Sequence, residues 1–410
     1  MPGFLPDSDS EDELPPGWIE KADENGKVFY VNQNQEVKWT HPRTGKAKRV
    51  RGDLPFGWEK RNNESGKILY VNTTTGQETF TDPRLAFASE IPTKNISDVR
   101  QRFDSGTTAL QVLHGLDLSG KVAVVTGSNV GIGFETARSL VLHGCTVYFC
   151  CRNKKSTEDA IASIVKEKSS LGKQCKFIHL DLSTLKSVKE FCDNLKSEIS
   201  HLNFLILNAG VFALPFSTTQ DGLETTFQIS HLSNFYLTNE LSSLVDNRSR
   251  VIVLSSESHR FSNLSLENMD EQKLSPPASK YWSMMAYNNA KLCNVLFAIE
   301  LAKRWKDRGI SVFVCHPGNM VSSQLSRNYW FYRLMFALVR PFTKSLQQAA
   351  STTIFCATAT ELTGLTGLYF NNCFFCEPSK VSQIDEMQTK LWSISEKMVN
   401  DILNGTNFVF

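Results

Sequence analysis

From Leu118 onward, short apolar runs alternate with longer stretches in which apolar residues recur every three or four positions. The apolar runs predict strands over 121–125, 146–150, 176–180, 204–207, 251–254 and 311–315, with a late one near 367–370. The helical spacing predicts helices over 185–198, 224–244 and 285–306. Strands that are apolar along their whole length and separated by helices describe a parallel sheet covered on both faces. The large domain is therefore expected over 118–400 as α/β, with a doubly wound parallel sheet.

Ahead of it, the polar and apolar positions follow a different rhythm, and they repeat. Leu14-Pro15-Pro16-Gly17-Trp18 returns as Leu54-Pro55-Phe56-Gly57-Trp58, and Thr40-His41-Pro42 is echoed by Thr81-Asp82-Pro83. The period is 40 at the front (58 − 18) and 41 at the back (83 − 42), so one residue is gained late in the second unit. Short β-prone runs broken by Asn-Gly, Ser-Gly and Thr-Gly predict two small three-stranded antiparallel modules, over 14–47 and 53–86. In so small a module the leading Trp and trailing Pro must pack together to make a core. Residues 1–13, with Asp7, Asp9, Glu11, Asp12 and Glu13, predict an acidic disordered tail, and 87–117 a linker.

Composition narrows the class. A net charge of +2 gives no support to a nucleic-acid partner. The ten cysteines are scattered, which fits reduced thiols in a cytoplasmic compartment rather than a disulfide framework. Cys373-Phe374-Phe375-Cys376 has no second pair or His partner, so no metal site is expected. The start of the chain has neither a basic segment nor a long apolar run, so no signal peptide is read there. The most lipid-like stretch, 329–342, is broken by Arg333 and Arg340 and is too short for a transmembrane segment. As an amphipathic helix it would make a peripheral membrane contact or touch a lipophilic substrate. Lys46, Lys48, Arg49 and Arg51 read either as a nuclear import signal or as a solvated linker.

Two distant segments carry the chemistry. In Thr126-Gly127-Ser128-Asn129-Val130-Gly131-Ile132-Gly133 an apolar strand enters a glycine-rich turn and then a helix, the arrangement that cradles a dinucleotide pyrophosphate. Tyr287 and Lys291 lie four apart on one predicted helix, hence on one face, where an ammonium favours the phenolate. The second strand ends at Cys151-Arg152, with a guanidinium and no carboxylate beside the ribose position, which favours NADP(H) over NAD(H).

These elements occur in order with Leu180-Asp181-Leu182, Asn208-Ala209-Gly210, Ser255-Ser256 and His316-Pro317-Gly318. From 118 to at least 318 the chain resembles the short-chain dehydrogenase/reductase family, whose fold is Rossmann-type. The resemblance implies that Asp181 contacts adenine, that Asn208, Ala209, Gly210 and Pro317 line the cofactor crevice, and that Ser256 holds the reacting oxygen while Tyr287 moves its proton. Ser256 lies 31 residues before Tyr287 (287 − 256), a long gap for the family, and the insertion with Pro276-Pro277 is expected at the substrate mouth. Where the family carries a relay Asn, this chain has Ser230, followed by His231. After Gly318, Tyr329, Trp330, Phe331, Tyr332, Met335 and Phe336 suggest either an aromatic lid for a steroid- or retinoid-like alcohol or ketone, or inward-packing core.

The front modules resemble the WW family, which slots a proline pair between two aromatics. The resemblance assigns the groove to Phe29 and Trp39 and the neighbouring pocket to Val31 and Gln33, so the first module is expected to bind PPxY partners. Gln33 departs from the family's His, and the second module offers only Leu69 and Phe80. Two WW modules ahead of such a domain also resemble enzymes linked to apoptosis and to transcription-regulator signalling, which implies cytoplasmic and nuclear locations. The alternative reading is an adaptor whose dehydrogenase fold binds nucleotide with little turnover.

Overall fold

The structure, a computed structural model, describes residues 13–43, 45–50, 53–63, 65–90, 101–318 and 344–405. Two units emerge: one holds both small modules, and the other holds Gln101–Leu113 and the chain from Ser119 onward.

In the first unit, each module is the expected three-stranded antiparallel meander. Trp18–Ala22, Val28–Asn32 and Val37–Lys38 form one, and Trp58–Asn62, Ile68–Asn72 and Glu78–Thr79 form the other. Tyr30 and Val28 are buried with Val50, and Leu14 and Trp18 pack against them. Val50 was not legible as core. The basic stretch Lys48–Arg49 is a strand paired antiparallel with Ser89–Glu90, and the Val50 amide donates to Gly26 O at 2.7 Å. The chain after the first module thus folds back to complete that module's core.

The second unit is built on one eight-stranded sheet. Its strands are β1 (Val122–Thr126), β2 (Thr146–Cys151), β3 (Cys175–His179), β4 (Phe204–Leu207), β5 (Arg250–Leu254), β6 (Ser311–His316), β7 (Leu368–Asn371) and β8 (Phe374–Cys376). The spatial order is β3-β2-β1-β4-β5-β6-β7-β8, parallel throughout except for the antiparallel β7–β8 pair. Strand order reverses between β1 and β4, so a crevice opens beyond their carboxyl ends. β8 was not expected. It returns through a two-residue turn in which Asn372 and Cys373 both have positive φ, 52° and 58°, the geometry of a type I′ hairpin. The CxxC is therefore a hairpin, and all ten cysteines are free.

The helices that place the site are α1 (Gly131–Leu142), α2 (Lys154–Glu167), α3 (Leu185–Glu198), α4 (Ser233–Glu240), α5 (Ser283–Arg304), α6 (Leu346–Thr358) and α7 (Asp385–Leu403). The single helix expected over 224–244 is interrupted. Thr225–Phe227 is followed by a π turn at Gln228–Leu232 before α4 begins. The insertion after Ser256 buries Leu264, Met269 and Leu274 in the main core. Among the described residues no helix is long and apolar enough to cross a membrane; 329–342 and the aromatic lid residues lie outside the described residues.

Candidate active site and peptide-binding face

Gly127, Asn208, Ser255-Ser256 and Pro317 each follow the end of a parallel strand, β1, β4, β5 and β6 respectively. Parallel register puts all of them on one edge of the sheet. Four motifs dispersed over the sequence thereby converge.

The turn after β1 is braced from β4. Asn208 Nδ2 donates to the carbonyls of Thr126 and Gly127 at 2.8 and 3.2 Å, and the Ala209 amide donates to Thr126 Oγ1 at 2.9 Å. A Cβ on Gly133 would lie 2.3 Å from both Asn208 Nδ2 and Gly127 O, so glycine alone lets α1 start this close to the turn. Val130 caps α1 with no side-chain acceptor, which leaves first-turn amides without a partner from the cap. An anion suits amides at a helix N-terminus. Glycine packing, an N-terminus without a side-chain cap and the crevice position fit a dinucleotide pyrophosphate. The Ser128 amide donates to Cys151 Sγ at 3.2 Å, and Asn129 Nδ2 donates to Ser156 Oγ at 2.7 Å. These contacts fix the turn against the end of β2, where Arg152 is exposed. Asp181 Oδ1 accepts from the amide and hydroxyl of Ser183, so this carboxylate shapes the loop after β3.

On α5, Tyr287 and Lys291 lie one turn apart, with the Lys291 ammonium 5.6 Å from the centroid of the Tyr287 ring. Burial pushes the Tyr287 phenol above its ordinary value, while the hydroxyls of Ser256 and Ser258 pull the other way. Burial also pushes Lys291 down to about 8, opposed by Cys315. The opposing pull on Tyr287 thus comes from the serine hydroxyls, and the lowering expected from Lys291 is not seen. Ser255 is structural: its hydroxyl donates to Lys291 O at 2.8 Å. A Cβ on Gly210 would lie 3.3 Å from Lys291 Nζ and 3.4 Å from Ser230 Oγ, so Gly210, Ser230 and Lys291 meet at one point. Ser230 Oγ accepts from the Val211 amide at 3.3 Å. His231 points elsewhere, as consecutive helical residues do.

The sequence did not reveal Phe212, whose ring meets Tyr287 edge-on at 4.8 Å, nor the packing of Phe216 on Tyr281 at 5.4 Å. Phe212 follows the Asn208-Ala209-Gly210 turn directly enough to have been suspected. Among the described residues no group of His, Cys, Asp and Glu could hold a metal ion.

In the first module, strand alternation puts Ile19, Lys21, Phe29, Val31, Val37 and Trp39 on one face. Phe29 and Trp39 lie 5.3 Å apart by centroid, and Trp39 remains 44% exposed, as a stacking surface requires. Gln33 lies against Gly17, 3.5 Å from where a Cβ there would sit. The corresponding face of the second module carries Glu59, Arg61 and Glu78 beside Leu69 and Phe80, with Arg61 bonded to Glu59 at 2.9 Å. Charge has replaced the apolar flanks.

The site is that of a nicotinamide-dependent oxidoreductase, and the sequence comparisons agree. The short chain dehydrogenase family matches residues 121–266, and the WW domain family matches residues 14–42. The chain is 64% identical over 401 residues to the WW domain-containing oxidoreductase of Drosophila melanogaster, covering 97% of this chain and 98% of that one. The protein of the same name in Homo sapiens is 50% identical, with 98% and 97% covered. Retinol dehydrogenase 12 of Mus musculus is 36% identical over 72% of this chain and 90% of its own. A crystal structure of an uncharacterised protein from Mycobacterium paratuberculosis superposes with a TM-score of 0.56 at 26% identity, covering 72% of this chain and 98% of that one. The chain belongs to the short-chain dehydrogenase/reductase family, within the WW domain-containing oxidoreductases.

Proposed function

We propose that this oxidoreductase prefers NADP(H) and interconverts a lipophilic alcohol and its carbonyl compound, steroid- or retinoid-like in size and polarity. The convergence of Tyr287, Lys291 and Ser256 beside the N-terminus of α1 carries the reading. A bound nicotinamide cofactor supplies or accepts the hydride. Tyr287 gives its proton to the carbonyl oxygen, or takes one from the alcohol, and Ser256 donates a hydrogen bond to that oxygen. Lys291 stabilises the phenolate that forms. Phe212 supplies apolar surface against the Tyr287 ring, and kinship with retinol dehydrogenases supports the same substrate class. Screening steroids, retinoids and short ketones while following NADPH absorbance tests this; consumption confined to short hydrophilic ketones counts against it.

Cofactor preference rests on Cys151 and Arg152. NADPH should bind more tightly than NADH, and Cys151→Asp should shift the ratio toward NADH by about tenfold or more, the scale of one charge-assisted contact. Fluorescence titration of both nucleotides decides it, and tighter NADH binding by the unaltered protein rejects the assignment.

We further propose that the first WW module recruits PPxY segments through Phe29 and Trp39, with Val31 and Gln33 forming the adjoining pocket. Loss of an aromatic anchor costs on the order of 2 kcal/mol. Trp39→Ala in the full chain should therefore weaken a PPxY peptide about thirtyfold, while Phe80→Ala leaves binding unchanged. Calorimetry checks both, and indifference to Trp39 would place the peptide elsewhere. Roles in apoptosis and in transcription-regulator signalling, in cytoplasm and nucleus, are proposed from kinship alone.

A further inference from the structure

We propose that His231 and Asn294 are positioning residues of the catalytic site: together they fix the Leu254 carbonyl that holds the Lys291 ammonium, and they tie it through Ser395 to helix α7. The inference rests on Lys291 being the catalytic cation.

Leu254 ends β5, and its carbonyl accepts from two side chains of α5, Lys291 Nζ at 3.3 Å and Asn294 Nδ2 at 3.1 Å. The two donors are three residues apart and so share a helix face. Asn294 Oδ1 lies 3.3 Å from His231 Nδ1, and His231 Nε2 lies 3.2 Å from Ser395 Oγ. Every one of these side chains is buried.

The chain of bonds has only one polarity. Burial pushes His231 down to about 4, so near neutrality its ring has one donor and one acceptor. If Asn294 were flipped, its oxygen would oppose the Leu254 oxygen, two acceptors facing each other. Asn294 must therefore turn its amide to Leu254 and its oxygen to His231. The ring then donates from Nδ1 and accepts the Ser395 hydroxyl at Nε2. Removing His231 leaves a buried carboxamide oxygen unpaired and free to turn.

Ser230 and His231 are neighbours in the π turn and point to different sides. Ser230 lies at the cleft beside Gly210, while His231 lies inward among Phe227, Phe235 and Phe297. These rings hold the imidazole plane, and Trp392 of α7 packs on Phe235 and Phe297. Among the described residues the ionisable groups that face Lys291 are Tyr287 on its own helix and Cys315 on β6, while His231 from the π turn reaches it only through the uncharged Asn294.

The test needs no substrate. Lysines of the full chain are labelled at Cε with heavy carbon and titrated by NMR, the Lys291 signal being assigned by its loss in Lys291→Arg. The unaltered protein should show this lysine titrating near pH 8. Asn294→Asp keeps the shape but places a carboxylate beside the ammonium, and should raise the midpoint by about one unit or more. His231→Phe should also move the midpoint, while His231→Gln, which can again donate to Asn294 and accept from Ser395, should restore it. A merely structural role would lower the melting temperature without moving the titration. Should His231→Phe fail to fold, the near-isosteric Asn294→Leu, which removes the donor to the Leu254 carbonyl without adding a charge, should move the midpoint in its place. An unchanged Lys291 midpoint in folded His231→Phe or folded Asn294→Leu overturns the proposal. A protein that binds cofactor but turns over nothing leaves this result standing, so the two readings fail separately.

Discussion

Tyr287→Phe should reduce turnover of any confirmed substrate by about a thousandfold, within the span that a positioned general acid–base contributes. NADPH affinity should stay within about twofold, since the lost hydroxyl faces the reacting oxygen. The ring remains to pack edge-on against Phe212, so a melting curve should be nearly unchanged. Steady-state kinetics and nucleotide titration on one preparation separate these effects. Full activity in the variant would mean that another group moves the proton.

Gly133→Ala should damage binding and stability together. The new methyl would stand 2.3 Å from Gly127 O and Asn208 Nδ2, and the first of these is backbone. Either α1 retreats from the turn or the Asn208 brace breaks, and both displace the amides that face the pyrophosphate. Overpacking of this kind costs about 2 kcal/mol, so the melting temperature should fall by several degrees. NADPH affinity should fall more than tenfold, because the N-terminus of α1 no longer points at the phosphates. Calorimetric melting and fluorescence titration read the two effects. Unaltered NADPH binding would contradict the assignment of the turn.

Much of this was legible because the central strands of the sheet are buried on both faces. Apolar runs such as Phe204–Leu207 announce a parallel strand whatever their neighbours do. The glycine turn and the Tyr287–Lys291 pair were legible because their chemistry is local in sequence. What escaped reading depends on contacts between distant segments. Val50 becomes core only because the chain after the first module turns back on Gly26. The β7–β8 hairpin hid because its turn places Asn372 and Cys373, rather than Asn-Gly, at positive φ. The π turn at Gln228–Leu232 has no sequence signature. Asn294 could have been found, since it follows Lys291 by three on the same helix. Its partner Leu254 O could not, because a backbone carbonyl leaves no trace in a sequence.

The central claim is that hydride passes between a bound nicotinamide and a lipophilic carbonyl carbon, with Tyr287 supplying the proton. The most direct test supplies NADPH deuterated at its transferable position together with a substrate found in the screen, and weighs the alcohol produced. Deuterium should appear in the alcohol with the unaltered protein and about a thousandfold more slowly with Tyr287→Phe, although both bind the nucleotide. If NADPH binds tightly and yet no carbonyl compound in the panel takes up deuterium, the fold serves nucleotide binding, and the adaptor reading replaces the enzyme.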